Sequence, residues 1–375
     1  MRKSRRGKRS SATRRTGSRR KGPSLLAYRI SLILLFCLFS VPLVVLAFVR
    51  KSSQVEITLR VTRMSFKVGD QRINRLFNSI TAKSIALSQF DRVTFDRGKL
   101  KITEKTDEAG EPTGWREASQ LNGNAIQITA KQSFASVVLD LVTLNFLSIQ
   151  PESAATLSWS EDEPNSLKIS LDKSATGEIA AEKTLQFSCT GCEVEGLTAS
   201  QNFPSLFLRV SNEGQQGQII TFQGRKDLTI IALDLAPNTR LKEQSIAVHE
   251  KLDFTQRQED RLVSTVIGGK IRFEGLDKEI DLGEGTLVKL DSLKNTVIRT
   301  LGVDNGINVT LNGEAGELLT GVEGTMYNRL PSYLEWAYAQ KTWMLVVSAL
   351  PLIATSLLSV LAWLKIFPRE VENHD

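Results

Sequence analysis

A mainly β extracytoplasmic domain of sandwich or jelly-roll type, set between two transmembrane α-helices, is the fold this 375-residue sequence predicts. Three observations predict it. Two runs without a charged side chain, residues 30–49 and 343–364, are 20 and 22 residues long. Between them, short segments alternate apolar and polar residues with a period of two. Turn-forming clusters such as Asp304-Asn305-Gly306 and Asn312-Gly313 separate those segments.

The first element is a basic tail over residues 1–24. Arg2, Lys3, Arg5, Arg6, Lys8, Arg9, Arg14, Arg15, Arg19, Arg20 and Lys21 give it eleven cations, and residues 1–22 hold no acid. The whole chain carries +7, so residues 23–375 carry −4, seven less eleven. A basic run of this kind can neutralise nucleic-acid phosphates. It holds no aromatic residue for base stacking. Attraction to anionic lipid at the cytoplasmic leaflet, at about 1 kcal/mol per cation near the surface, is the expected role. Nucleic acid is not an expected partner.

The second element is a membrane span over residues 25–50. Twenty helical residues rise about 30 Å, the thickness of a bilayer's hydrocarbon core. Arg29 precedes the run and Arg50 and Lys51 follow it, placed to snorkel toward headgroups. A cleaved signal peptide would have a shorter apolar core and a small-x-small site, which Val45-Leu46-Ala47 matches poorly. An uncleaved anchor is therefore predicted. The second span covers residues 342–365. Trp343 and Trp363 mark its two interfaces, and Trp336 joins them as an anchor in a juxtamembrane helix over 327–341. Each span contains one proline, Pro42 or Pro351. Twelve basic residues ahead of the first span keep the N-terminus in the cytoplasm, and a second crossing returns the tail 366–375 there. Residues 51–341 then face the periplasm or exterior.

The third element is the body, read as β-rich subdomains over 51–150 and 151–326. Val55-Glu56-Ile57-Thr58-Leu59-Arg60-Val61 alternates without a break. Shorter alternations lie at residues 126–128, 167–171, 206–210, 270–273, 286–290 and 307–311. Gly268-Gly269 reads as a turn between strands. Ile73, Leu76, Phe77 and Ile80 instead fall at helical spacing and predict a short amphipathic helix. Residues 106–114 and 151–166 read as exposed loops, the second as the subdomain boundary.

Chemistry is sparse. Cys189-Thr190-Gly191-Cys192 is the one motif with intrinsic reactivity, and its alternating flanks predict a hairpin turn holding a disulfide or a thiol pair. A redox-active CxxC needs a helix N-terminus, which these flanks do not form. Zinc needs about four ligands, and the body adds only His249 as a further soft ligand, read as a solvent-facing strand residue. Cys37 lies inside the first span. No GxSxG, HExxH, P-loop or GxGxxG is present. No catalytic residue, metal or cofactor is expected. Asn308-Val309-Thr310 is a glycosylation sequon only in a eukaryotic source. The expectation is a bacterial inner-membrane protein that displays its β body for binding or scaffolding of an envelope protein, glycan or lipid. A membrane-tethered polysaccharide hydrolase using acidic residues is the alternative, as is a jelly-roll bridge for lipid or polymer export.

Overall fold

The unbroken alternation at the start of the body becomes its first strand, with Val55, Ile57, Leu59 and Val61 all at most 4% exposed. The structure is a computed structural model that describes residues 44–69, 74–96, 99–102, 116–117, 125–182, 184–195, 205–211, 217–237, 239–241 and 246–341, with Val41, Met344 and Thr355. Its strands are β1 (Ser53–Val61), β2 (Arg63–Val68), β3 (Asn74–Ser88), β4 (Phe90–Phe95), β5 (Lys99–Ile102), β6 (Arg116–Glu117), β7 (Ile126–Ala130) and β8 (Ser136–Ile149). They continue as β9 (Ala154–Ser160), β10 (Glu163–Leu171), β11 (Ala175–Ala181), β12 (Thr184–Thr190), β13 (Cys192–Val194), β14 (Ser205–Ser211), β15 (Gln218–Gly224) and β16 (Thr229–Leu235). The last are β17 (Thr239–Leu241), β18 (Ile246–Asp253), β19 (Thr255–Gln258), β20 (Arg261–Ser264), β21 (Val266–Phe273), β22 (Glu279–Leu282), β23 (Leu287–Val303), β24 (Ile307–Val322) and β25 (Thr325–Asn328).

The body is mainly β, as predicted, and all of these strands except β19 and β20 belong to one antiparallel sheet. Its faces enclose a single apolar cluster, consistent with sandwich-type packing. The pairing also closes on itself. β4 pairs β15, β15 pairs β11, β11 pairs β8, β8 pairs β3, and β3 continues through Gln89 into β4. Kinks make this closure possible. Ser79, Gln89 and Leu141 adopt positive φ within or between these strands, and irregularities of this sort bend strands and increase coiling. From β16 the sheet continues through β10, β9, β2, β18, β23, β24 and β1 to β21 and the edge strand β22. Inside, Phe95 of β4 stacks on Phe187 of β12 with ring centroids 4.9 Å apart.

Several expectations are corrected. The amphipathic helix around residues 73–80 is strand: β3 pairs β8 from Asn74 to Ser88, and Ile73 lies outside the described residues. Pairing with β8 along this stretch satisfies more backbone groups than one isolated helical turn, which is marginal alone. The segment 151–166 is no loop. It forms β9 and the start of β10, with turns only at Pro151-Glu152 and Glu161-Asp162. The division at 150/151 is crossed by the β2–β9 and β8–β11 ladders, and Arg50–Ser332 forms one compact unit. Gly268 and Gly269 lie inside β21, where a Cβ on Gly269 would strike the Thr58 carbonyl oxygen of the adjacent strand.

Both ends of the body are tied together. Arg50 and Ser332 form an antiparallel bridge, Lys51 N donates to Pro331 O at 2.9 Å, and the Arg50 guanidinium donates to Leu330 O at 2.9 Å. Residues 1–49 and 333–375 make up the other unit. In it, residues 44–48 are helical, and Tyr333 N donates to Val49 O at 3.2 Å. The helix Tyr333–Ala339 is shorter than the 327–341 expected, because Thr325–Asn328 is strand β25 and Leu330 is fully buried. Among the described residues no helix is long and apolar enough to cross a membrane. Most of the first predicted span, and all of the second but Met344 and Thr355, lies outside the described residues.

Candidate functional site

Five chain segments meet at an open groove of about 630 Å³ on the body, in the size range of small-ligand sites. Trp159 is its aromatic element. Alternation along β9 buries Ala155 and Leu157, which directs Trp159, at the end of the strand, onto the margin of the core. Two hydrogen bonds fix the residue there. Its backbone N donates to Thr62 O at 2.8 Å, and its indole Nε1 donates to Pro164 O at 2.8 Å. The ring is therefore held between the β1–β2 link and the β9–β10 turn, half-buried and facing the groove.

The floor is equally fixed. Thr62 N donates to Thr265 O at 2.8 Å, and the one proton of the buried Thr265 hydroxyl is shared between Phe254 O at 2.7 Å and Arg63 O at 2.5 Å. Gly285 N donates to Val266 O at 3.0 Å. The rim carries the exposed polar groups of Arg60, Glu161, Glu284 and Asn305. Among the described residues, none of the three charged groups is engaged in an ion pair. Asn305 stands in a tight turn with φ 48, and Gly306 follows at φ 131. A Cβ on Gly306 would come within 2.9 Å of Ile267 Cδ1 and 3.0 Å of Arg60 Cγ, so only glycine lets the Asn305 turn close onto Arg60.

A second, smaller groove of about 380 Å³ shares Pro164 and is lined by Ser84, Ala86, Glu163, Asp234 and neighbours. Cross-strand pairing sets Asp140, Ser84, Asp234 and Ser166 in one row over β8, β3, β16 and β10. Desolvation by burial raises the Asp140 carboxyl above its ordinary 3.8. The sign follows directly. A charge that is less well solvated in the folded state opposes folding once pH rises from the ordinary value through the raised one, and the penalty vanishes below both. Asp140→Asn is accordingly expected to raise the melting temperature at pH 7 and to leave it unchanged near pH 3. Thermal melts of the full chain at the two pH values check this.

The predicted site residues fall as follows. Cys189 and Cys192 are joined as a disulfide with Cα atoms 6.1 Å apart, both at most 6% exposed. Their setting is not a hairpin. β12 pairs β8 and β14, while β13 pairs β7, so the two are consecutive parts of one kinked strand, turned at Gly191 with φ 65. So small a loop gains little from closure, about 2 kcal/mol for four residues in the chain-entropy model. Replacing both cysteines by alanine is expected to lower unfolding free energy by about that amount and leave the fold intact, as read by urea titration.

His249 is exposed on β18 opposite Lys67, as expected of a strand residue facing solvent. Trp336 is half-buried in the helix Tyr333–Ala339, where Tyr333, Leu334 and Tyr338 are exposed. Trp343, Trp363 and the eleven tail cations lie outside the described residues. Among the described residues no group of three or more His, Cys, Asp and Glu is arranged to hold a metal. The chain matches no protein-family model, no curated protein and no solved structure. Its own geometry is therefore the basis for a functional reading. The Trp159 groove is the feature that the sequence missed, because segment 151–166 reads as a loop on its prolines and acids. The alternation Ala155, Leu157, Trp159 was the available signal.

Proposed function

We propose that this chain is a two-span protein of the bacterial inner membrane that displays its β body outside the cytoplasm to bind an envelope partner. The bridge between Arg50 and Ser332 carries the reading. It brings the end of one apolar run and the approach to the other to a single point of the body, as a domain standing on two adjacent membrane helices requires. The charge distribution supports the orientation, with twelve basic residues ahead of the first run and a body of net charge −4. The basic tail then lies against anionic lipid at the cytoplasmic leaflet. Binding, rather than export, is supported by the filled interior. Phe90, Phe95, Ile85 and Leu87 are at most 1% exposed, and both described grooves are open to the outside.

Protease added to intact spheroplasts tests this reading. The body is expected to be digested while the membrane fraction retains the chain through alkaline extraction. Release by alkali, or full protection of the body without detergent, would contradict it.

A further inference from the structure

We infer that the Trp159 groove binds a neutral or N-acetylated glycan chain, with the indole as its stacking platform. This rests on the display reading only in taking an envelope polymer as the ligand. The donor and acceptor set is the first ground. Carboxylates accept only and guanidinium donates only, while the Asn305 amide does both. A ligand that satisfies Glu161, Glu284, Arg60 and Asn305 together must present donors and acceptors close together along its length. Sugar hydroxyls and acetamido groups do so. The apolar C–H face of a pyranose ring then covers the indole, whose N–H is already engaged by Pro164 O and is not left unpaired.

Charge narrows the class. The rim holds one guanidinium and two carboxylates, and the adjoining groove adds Glu163 and Asp234. Uronate-rich or phosphate-bearing polymers would meet like charge. An extended peptide is disfavoured for a different reason. Peptides dock on sheets mainly through open main-chain edges, and the floor here has none to offer at Thr62, Trp159 or Gly285, whose N–H groups are all paired. Pre-organisation favours binding by the same token, since the indole, Thr265 and the Asn305 turn are held in place before any ligand arrives.

Calorimetric titration of the full chain in detergent with chitohexaose, cellohexaose, oligogalacturonate and octalysine tests the assignment. Chitohexaose or cellohexaose is expected to bind, with affinity falling about tenfold or more in Trp159→Ala, a loss of about 1.4 kcal/mol. Arg60→Ala and Asn305→Ala, which remove exposed groups and leave the core intact, are expected to weaken binding several-fold. Trp159→Phe should retain part of the affinity, and Tyr327→Ala, on the distant β25, should retain all of it. Failure of both neutral glycans to bind, or binding unchanged by the groove variants, would overturn the inference. So would tight binding of octalysine or oligogalacturonate alone, which would assign the groove to a basic peptide or an acidic polymer. These titrations do not depend on which side of the membrane the body faces, so a failed glycan assignment leaves the display reading standing.

Discussion

Replacing Phe95 by alanine is expected to destabilise the body by about 3–5 kcal/mol, the range found for deletion of a fully buried aromatic ring. Phe95 has no exposed surface and stacks on Phe187 at 4.9 Å with an interplanar angle of 29°. The two rings sit on β4 and β12, which share no ladder, so their contact is one of core packing rather than cross-strand pairing. Removing one ring leaves a cavity between strands that their own ladders hold in place. Phe95→Leu should recover much of the loss, because it restores most of the apolar volume. Urea-induced unfolding of the full chain, followed by circular dichroism, measures both. A cost below about 1 kcal/mol for Phe95→Ala would mean that the interior is not packed as described.

The second large effect is expected at Gly177. This residue of β11 lies directly opposite Phe222 of β15, and a Cβ there would strike the ring atoms Cε1 and Cζ. Phe222 is itself buried, 3% exposed. Gly177→Val is expected to cost about 3 kcal/mol, since overpacking forces a ring or a backbone to move. The pairing predicts its own remedy. In Phe222→Leu the space above residue 177 opens, so Gly177→Ala should cost less in that background than in the parent. That non-additivity is the signature of two side chains competing for one volume. Additive costs would show that the glycine acts through backbone conformation instead.

Much of the fold was legible from local alternation. β1, β7, β14 and β24 announce themselves because each has one buried and one outward face, which is what a period of two records. The misreadings share one cause, distant pairing that no local window contains. Leu76, Phe77 and Ile80 match a helix by spacing, yet this part of β3 is claimed by β8, more than sixty residues on. Cys189 and Cys192 look like a hairpin turn because their flanks alternate, yet β12 pairs β8 and β14 while β13 pairs β7, so the flanks do not pair with each other. Gly268 and Gly269 look like a turn until Thr58 and Leu59 are brought against them. The groove was illegible for the same reason. Trp159, Arg60, Glu284 and Asn305 come from four distant parts of the chain and meet only when the sheet is assembled.

The proposed display of the body outside the cytoplasm is tested most directly by paired topology reporters. Fusions of alkaline phosphatase and green fluorescent protein are placed at Asp375 and, in separate chains, at Gly324, an exposed turn residue between β24 and β25. The Asp375 fusion is expected to fluoresce and to lack phosphatase activity, and the Gly324 fusion to show the reverse. Fluorescence at Gly324, or phosphatase activity at Asp375, would contradict the placement and the binding role drawn from it.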